Sequence, residues 1–235
     1  MYIVFNNISI HIHIMIFTIE GNIGAGKTTL LTDLASSKFS REHIVMVEPV
    51  SSWMDCRNAP NEPSLFELYY TDKTKYAFSF QLMAMHSRAQ NLIEMVAASK
   101  TKVVICERNF LTDYEIFAKM MHKEGFMNDT EMMVYKQWHG FIMDMVKPLI
   151  AGTIYLRADP EVCYDRIAKR GRKGEDNIDL KYLYDLHFAH ESWLGLGTDI
   201  TVPHAHDVLI IDANKDGVLD MKVMMEFIEA KLAVV

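Results

Sequence analysis

The sequence predicts a three-layer α/β sandwich, a five-stranded parallel sheet with helices on both faces. Three observations carry that expectation. Five short runs rich in Val and Ile recur along the chain, at 15–20, 43–48, 102–106, 152–157 and 207–212. Segments with helical periodicity separate them, and such alternation is the signature of a parallel sheet. No repeat, low-complexity tract or linker divides the 235 residues, a length that suits one domain with a substantial core.

The elements follow in order. The first strand, Met15-Ile16-Phe17-Thr18-Ile19, ends in Glu20 and a glycine-rich turn, and a helix over about 26–37 opens from that turn. The second strand, His43-Ile44-Val45-Met46-Val47-Glu48, stops before Pro49. A long helix at 73–99 precedes the third strand, Lys102-Val103-Val104-Ile105-Cys106, which ends in Glu107-Arg108-Asn109. Helices at 112–123 and 129–147 lead to the fourth strand at 152–157. Asp159-Pro160 marks the helix at 160–170, an N-cap carboxylate before proline at the first helical position. Helices at 180–195 and 217–232 flank the last strand, 207–212.

Residues 1–14 exceed what the first strand requires and read as an N-terminal extension ahead of a domain over 15–235. Met1 to Ile19 is apolar but has no basic n-region, and no Arg-rich transit peptide is present, so neither a secretory signal nor a transmembrane span is expected. Met15 is an alternative start, which N-terminal mass analysis would test. His11 and His13 alternate as on one face of a strand, and two histidines alone are too few for a metal site. Cys56, Cys106 and Cys163 are odd in number and lack a C-x-x-C pair, which argues against disulfides or zinc and for a reducing, cytoplasmic location. The formal charge of −7 argues against a nucleic-acid polymer as partner.

Gly21-Asn22-Ile23-Gly24-Ala25-Gly26-Lys27-Thr28-Thr29 is a complete G-x-x-x-x-G-K-[ST] phosphate loop between a strand and a helix. Its glycines let successive N–H groups converge on a polyphosphate, and the helix adds its positive dipole end. Lys27 would reach the β/γ-phosphates and the Thr28 hydroxyl would hold Mg²⁺. The loop identifies a bound triphosphate without naming the acceptor.

Ligands of such sheets lie outside the carboxyl ends of the strands. Glu48, on the strand expected beside the phosphate loop, is the candidate general base. Glu107 is the candidate for Mg²⁺, and Arg108 for the acceptor oxygen or the phosphates. Gln81 and Arg88 share one helix face, joined by Tyr70 if the helix is continuous. With Trp53, Phe80 and Phe117 they offer stacking surfaces and edge hydrogen bonds to a flat heterocycle, although a core aromatic stripe accounts for the same pattern. Arg166, Arg170 and Arg172, followed by Glu175, suit either a mobile lid over a polyphosphate or a solvated helix end.

Together the segments resemble the deoxyribonucleoside kinase family. G-N-I-G-A-G-K-T-T, E-P-V-S-S-W, F-S-F-Q, S-R-A-Q, E-R-N, R-x-x-x-R-G-R and L-H-F-A-H-E-S-W-L occur in family order over about 15–215. The resemblance implies a P-loop kinase fold with an arginine lid at about 166–176, and transfer of the ATP γ-phosphate to a deoxynucleoside 5′-hydroxyl with Mg²⁺. It implies Glu48 as the base, Glu107 and Arg108 at Mg²⁺ and the 5′ end, and Tyr70 with Glu175 on the sugar 3′-hydroxyl. Gln81 would read the base between Trp53, Phe80 and Phe117, Arg166, Arg170 and Arg172 would form the lid, and Asp212 to Asn214 would lie near the adenine. Asn109 stands where the family usually has serine.

Arg88 with Asp113 resembles the members that prefer deoxycytidine or deoxypurines. A charged pair beside Gln81 satisfies exocyclic amino or carbonyl groups and fills the space of a thymine methyl, which favours deoxyadenosine, deoxyguanosine and deoxycytidine over thymidine. Seven methionines between Met120 and Met145 suit either an adaptable interface or core positions of a monomer, and the resemblance implies a homodimer through these helices. Two rivals are a nucleoside monophosphate kinase, whose anionic acceptor Glu48 would repel, and a non-catalytic nucleotide-binding switch.

Overall fold

The computed structural model describes residues 2–5, 8–11, 14–98, 103–172, 175, 178–194, 207–215 and 221–233. Two short strands, β1 (Tyr2–Phe5) and β2 (Ile8–His11), pair antiparallel in a small sheet of their own. His13 lies outside the described residues. The main sheet comprises β3 (Met15–Gly21), β4 (Ile44–Met46), β5 (Val103–Glu107), β6 (Ile150–Arg157) and β7 (Asp207–Asp212). All its pairings are parallel and its order is β4-β5-β3-β6-β7, as the alternating pattern requires.

The central strand β3 is buried on both faces, with Phe17 and Ile19 fully enclosed. Thr18 is enclosed too and meets Thr153 of β6 hydroxyl to hydroxyl at 3.1 Å, which satisfies two polar groups that the core would otherwise penalise. The strand order corrects one expectation. β5, not β4, lies beside the phosphate-loop strand, because strand adjacency is a tertiary property that local pattern does not encode. The second strand is also shorter than expected: it ends at Met46, Val47 turns to solvent, and Glu48 belongs to the loop that follows.

Helices α1 (Lys27–Ser36), α4 (Lys73–Ala98), α7 (Asp129–Val146), α8 (Pro160–Arg170), α9 (Leu180–Trp193) and α10 (Met221–Leu232) match the expected segments to within a few residues. Ser99, Gly195 and 216–220 lie outside the described residues. Two short helices were not expected, α2 (Val50–Asp55) and α3 (Leu65–Thr71). α3 begins with a capping box between Ser64 and Glu67. It ends at Asp72, whose extended backbone and side chain restart the chain as α4 by accepting from the Lys75 N–H at 3.2 Å. The helix is therefore not continuous from Tyr70 to Gln81.

The segment expected as one helix at 112–123 is three pieces: α5 (Phe110–Thr112), a π-helical turn over Asp113–Ala118, and α6 (Lys119–Lys123). Among the described residues no helix is long and apolar enough to cross a membrane.

Candidate active site

The phosphate loop leaves β3 at the centre of the sheet, where its neighbours β5 and β6 diverge to opposite sides and open the crevice expected of this topology. Gly24 has φ 83° and packs so closely on α8 that a Cβ there would meet the Cys163 carbonyl oxygen at 2.5 Å. Lys27 Nζ donates to the carbonyls of Gly21 at 3.0 Å and Asn22 at 2.8 Å, folding the lysine back across its own loop. Burial lowers its pKa to about 8, Arg108 adds repulsion, and Glu107, Glu48 and Glu20 oppose both. The Thr28 hydroxyl lies 2.9 Å from both Glu107 oxygens, and Glu107 also accepts from the Glu48 N–H at 3.3 Å.

Glu48 is gripped by two arginines. Arg88 Nη2 donates to it at 2.6 Å and Arg108 Nη1 at 3.2 Å. Burial pushes the Glu48 carboxyl up, but the Arg108 and Arg88 guanidiniums outweigh burial and hold it at about 2. Arg88 has further partners: Nε lies 3.1 Å from both Asp113 oxygens, and Nη1 donates to the Glu107 carbonyl at 2.9 Å. Against the desolvation of its site, Asp113 and Glu48 strengthen the guanidinium's hold on its proton. Arg108 Nη2 donates to the Gly21 carbonyl at 3.1 Å, and its guanidinium lies 5.0 Å from the Phe117 ring centre.

These groups open onto one cavity of about 470 Å³, the size of a small-ligand site. It is lined by the phosphate loop from Ile23 to Thr29 and by Glu48, Trp53, Tyr70, Phe80, Gln81, Arg88, Glu107, Arg108, Asp113, Phe117 and Glu175, with Arg166, Arg170 and Arg172 closing one side. Trp53 meets Phe80 edge-on at 5.4 Å and is anchored by its indole N–H on Ser87 Oγ at 2.8 Å. Tyr70 reaches the cavity from α3, although the helix break removes it from the Gln81 face. Arg170 and Arg172 pair with Glu175 at 2.5 and 3.2 Å, so these arginines have defined partners in addition to any lid role. Part of the expected lid, at 173–174 and 176, lies outside the described residues.

Four expected donor-binding residues do not line the cavity, Gly21, Asn22, Asp212 and Asn214. Each frames the loops instead. The Gly21 carbonyl receives Lys27 and Arg108, and the Asn22 amide donates to the Leu183 carbonyl at 2.8 Å. Asp212 accepts from the Asn214 N–H at 3.0 Å, and the Asn214 side chain accepts from the Asp159 N–H at 2.7 Å. Ala213 and Lys215 line the cavity from that loop, and the Ala213 carbonyl receives Arg166 at 2.8 Å.

Two residues escaped the sequence reading. Glu20 is wholly buried, accepts from the Thr112 hydroxyl at 2.6 Å, and has its carboxyl pushed up to about 7 by burial. His190 is wholly buried on α9, donates through Nδ1 to the Leu186 carbonyl at 2.7 Å, and has its pKa lowered to about 3 by burial. A charged residue closing an apolar strand was the available signal for Glu20. Asn109, the departure from serine, is an N-cap: its side chain accepts from the Leu111 and Thr112 N–H groups, a task asparagine and serine share.

Hard oxygen donors at Thr28 and Glu107 fit Mg²⁺. Among the described residues no group of three or more His, Cys, Asp or Glu could hold a metal, and Mg²⁺ characteristically completes its shell with water and substrate phosphates.

Comparison with known proteins gives the same picture. The family model described as deoxynucleoside kinase matches residues 17–234. Deoxycytidine kinase 2 of Gallus gallus is 33% identical over 219 residues, covering 85% of this chain and 82% of the relative. Human deoxycytidine kinase is 32% identical over 219 residues, covering 85% and 84%. The mitochondrial deoxyguanosine kinase of Xenopus laevis is 35% identical over 192 residues, covering 75% and 72%. The chain belongs to the deoxynucleoside kinase family.

Proposed function

We propose that the protein transfers the γ-phosphate of ATP to the 5′-hydroxyl of a deoxynucleoside, with deoxyadenosine, deoxyguanosine and deoxycytidine favoured over thymidine. The observation that carries this reading is the position of Glu48. Its carboxylate shares a cavity with the phosphate loop and is held by Arg88 and Arg108. Ionised at neutral pH, it accepts the proton that leaves the acceptor hydroxyl. Arg108, bonded to both Glu48 and the Gly21 carbonyl, spans the acceptor and donor ends and offsets charge on the moving phosphoryl group. Lys27 exchanges its loop carbonyls for phosphate oxygens. Mg²⁺, held by Thr28 and Glu107, would neutralise charge on the donor phosphates.

The base lies between Trp53, Phe80 and Phe117, with its edge on Gln81 and the Arg88–Asp113 pair, and Tyr70 with Glu175 takes the sugar. Arg166, Arg170 and Arg172 act as the lid within a kinase domain over 15–235. A cytoplasmic homodimer completes the proposal. Met133, Trp138 and Phe141 on α7 are all more than half exposed, an apolar surface that suits a second copy of the chain.

The test is one panel: purified protein, ATP-Mg²⁺, the four deoxynucleosides and their monophosphates. Consumption of monophosphates with nucleosides untouched would favour a monophosphate kinase, and ATP binding without turnover would favour a switch protein. Either result would overturn the proposal.

A further inference from the structure

Three consecutive residues of β3 each take one hydrogen bond from the segment that carries Arg108. The Ile19 carbonyl accepts from the Arg108 N–H at 3.0 Å, and the Gly21 carbonyl accepts from Arg108 Nη2 at 3.1 Å. Between them, Glu20 Oε1 accepts from the Thr112 hydroxyl at 2.6 Å. Of the three bonds, only this one joins side chain to side chain, so only it depends on residue identity at both ends.

Both partners are fully buried, where a carboxyl group is costly unless hydrogen-bonded, and the Thr112 hydroxyl supplies that bond. Thr112 Oγ1 also accepts from the Asn109 N–H at 3.2 Å, while Asn109 Oδ1 accepts from the Leu111 and Thr112 N–H groups at 2.6 and 3.3 Å. The helix cap therefore terminates on Glu20. Immediately before the cap stands Arg108, whose φ of 58° makes it the one non-glycine residue with positive φ among the described residues. A left-handed arginine persists only where its flanks over-determine it. One flank is the Ile19 carbonyl and the other is the Asn109 cap.

We infer that Glu20 is a positioning residue. Through Thr112 it fixes the Asn109 cap, holds Arg108 in its left-handed conformation, and so keeps the guanidinium between Glu48 and the phosphate loop. The inference rests on the reading of Arg108 as a residue of the acceptor end. Because β3 runs directly into the loop, Glu20 sets the register between donor and acceptor.

The experiment compares Thr112→Val, Thr112→Ser, Glu20→Gln, Arg108→Ala and the double variant Arg108→Ala/Thr112→Val. It measures kcat, KM for deoxycytidine, the Kd for ATP-Mg²⁺ and the thermal midpoint. Thr112→Val should lower kcat by about 10- to 100-fold, the scale of a small misplacement near the chemistry, with the ATP Kd shifted by less than about threefold. Thr112→Ser and Glu20→Gln preserve the hydrogen bond and should recover most of the lost kcat. In the Arg108→Ala background, Thr112→Val should cost nothing further, because both changes remove the same placement. An equal loss in both backgrounds, or wild-type kcat in Thr112→Val while Arg108→Ala is slow, would overturn the inference alone. Wild-type kcat in Arg108→Ala would instead remove the acceptor-end reading on which it stands. If the valine variant does not fold, Thr112→Ala, which removes the same hydroxyl from a smaller side chain, takes its place with the same expected and overturning outcomes.

Discussion

Arg88 and Glu48 are joined by a 2.6 Å hydrogen bond, so the residue proposed to face the nucleobase also holds the residue proposed to take the proton. Base recognition and chemistry share one guanidinium. Replacing Glu48 by Gln keeps the shape and removes the charge. Turnover of deoxycytidine should fall about 10²- to 10⁴-fold, the usual contribution of general base catalysis. The Kd for ATP-Mg²⁺ should change little, and retained turnover would strip Glu48 of its role.

The Arg88–Asp113 pair predicts a reversal between single and double variants. Arg88→Met alone leaves the Asp113 carboxylate, 1% exposed, without its cation, a type of change that costs about 3–5 kcal/mol. Arg88→Met with Asp113→Ala removes the orphaned charge and makes room for a methyl group. The double variant should be more stable than Arg88→Met in urea unfolding, and its thymidine-to-deoxycytidine ratio of kcat/KM should rise. An unchanged substrate ranking would count against base reading by this pair.

Two glycines of the phosphate loop should respond differently to alanine. At Gly24 the new Cβ would lie 2.5 Å from the Cys163 carbonyl oxygen, whereas at Gly26 nothing lies within 4 Å. Both have positive φ, so Gly26→Ala should cost about 1–2 kcal/mol of backbone strain. Gly24→Ala bears the same strain and must also push the phosphate loop and α8 apart. Urea unfolding without nucleotide should rank Gly24→Ala as clearly the less stable, and equal losses would contradict the packing described.

His190 gives the protein an acid-side weakness. Burial holds its pKa near 3, against an ordinary value of 6.5. A depressed histidine contributes stability that is fully present above pH 6.5 and is lost as pH falls toward 3. Between pH 7.5 and 4 the share due to His190 should fall by about 3 kcal/mol by linkage, while Glu20, whose carboxyl is pushed up to about 7, opposes it by favouring the folded state as pH falls. His190→Leu, which also removes the unpartnered Nε2, should flatten this part of the stability profile. Parallel profiles for the two proteins would show that His190 is not the group responsible.

The five strands were legible because each is a short apolar run bounded by polar or glycine signals, whether buried almost throughout like β3 and β5 or partly exposed at the sheet edge like β4 and β7. Their order was not, since nothing within His43 to Glu48 records that β5 will intervene. Glu48, Arg88, Arg108 and Asp113 were found from strand-end logic and from motif order, and all four meet in one cavity. Signals for α3 and its end were present but unread: Ser64 and Glu67 form a capping box, and Asp72 restarts the chain ahead of Lys73. Glu20 went unassigned because its partner, Thr112, is 92 residues away. The partner of the Asn214 side chain, the Asp159 N–H in the turn that leads into α8, was likewise not legible, because that hydrogen bond is a tertiary fact.

The π-helical turn over Asp113–Ala118 places Asp113 and Phe117 on the cavity while Met120 and Met121 just beyond it are buried. A π-turn holds one residue more than the α-helical turn, so deleting one residue within it would tighten the stretch to ordinary α-helix and shift the side chains inside the turn relative to the cavity and the methionines beyond. Chain length between Thr112 and Lys119 is therefore constrained together with the identities of Thr112, Asp113 and Phe117.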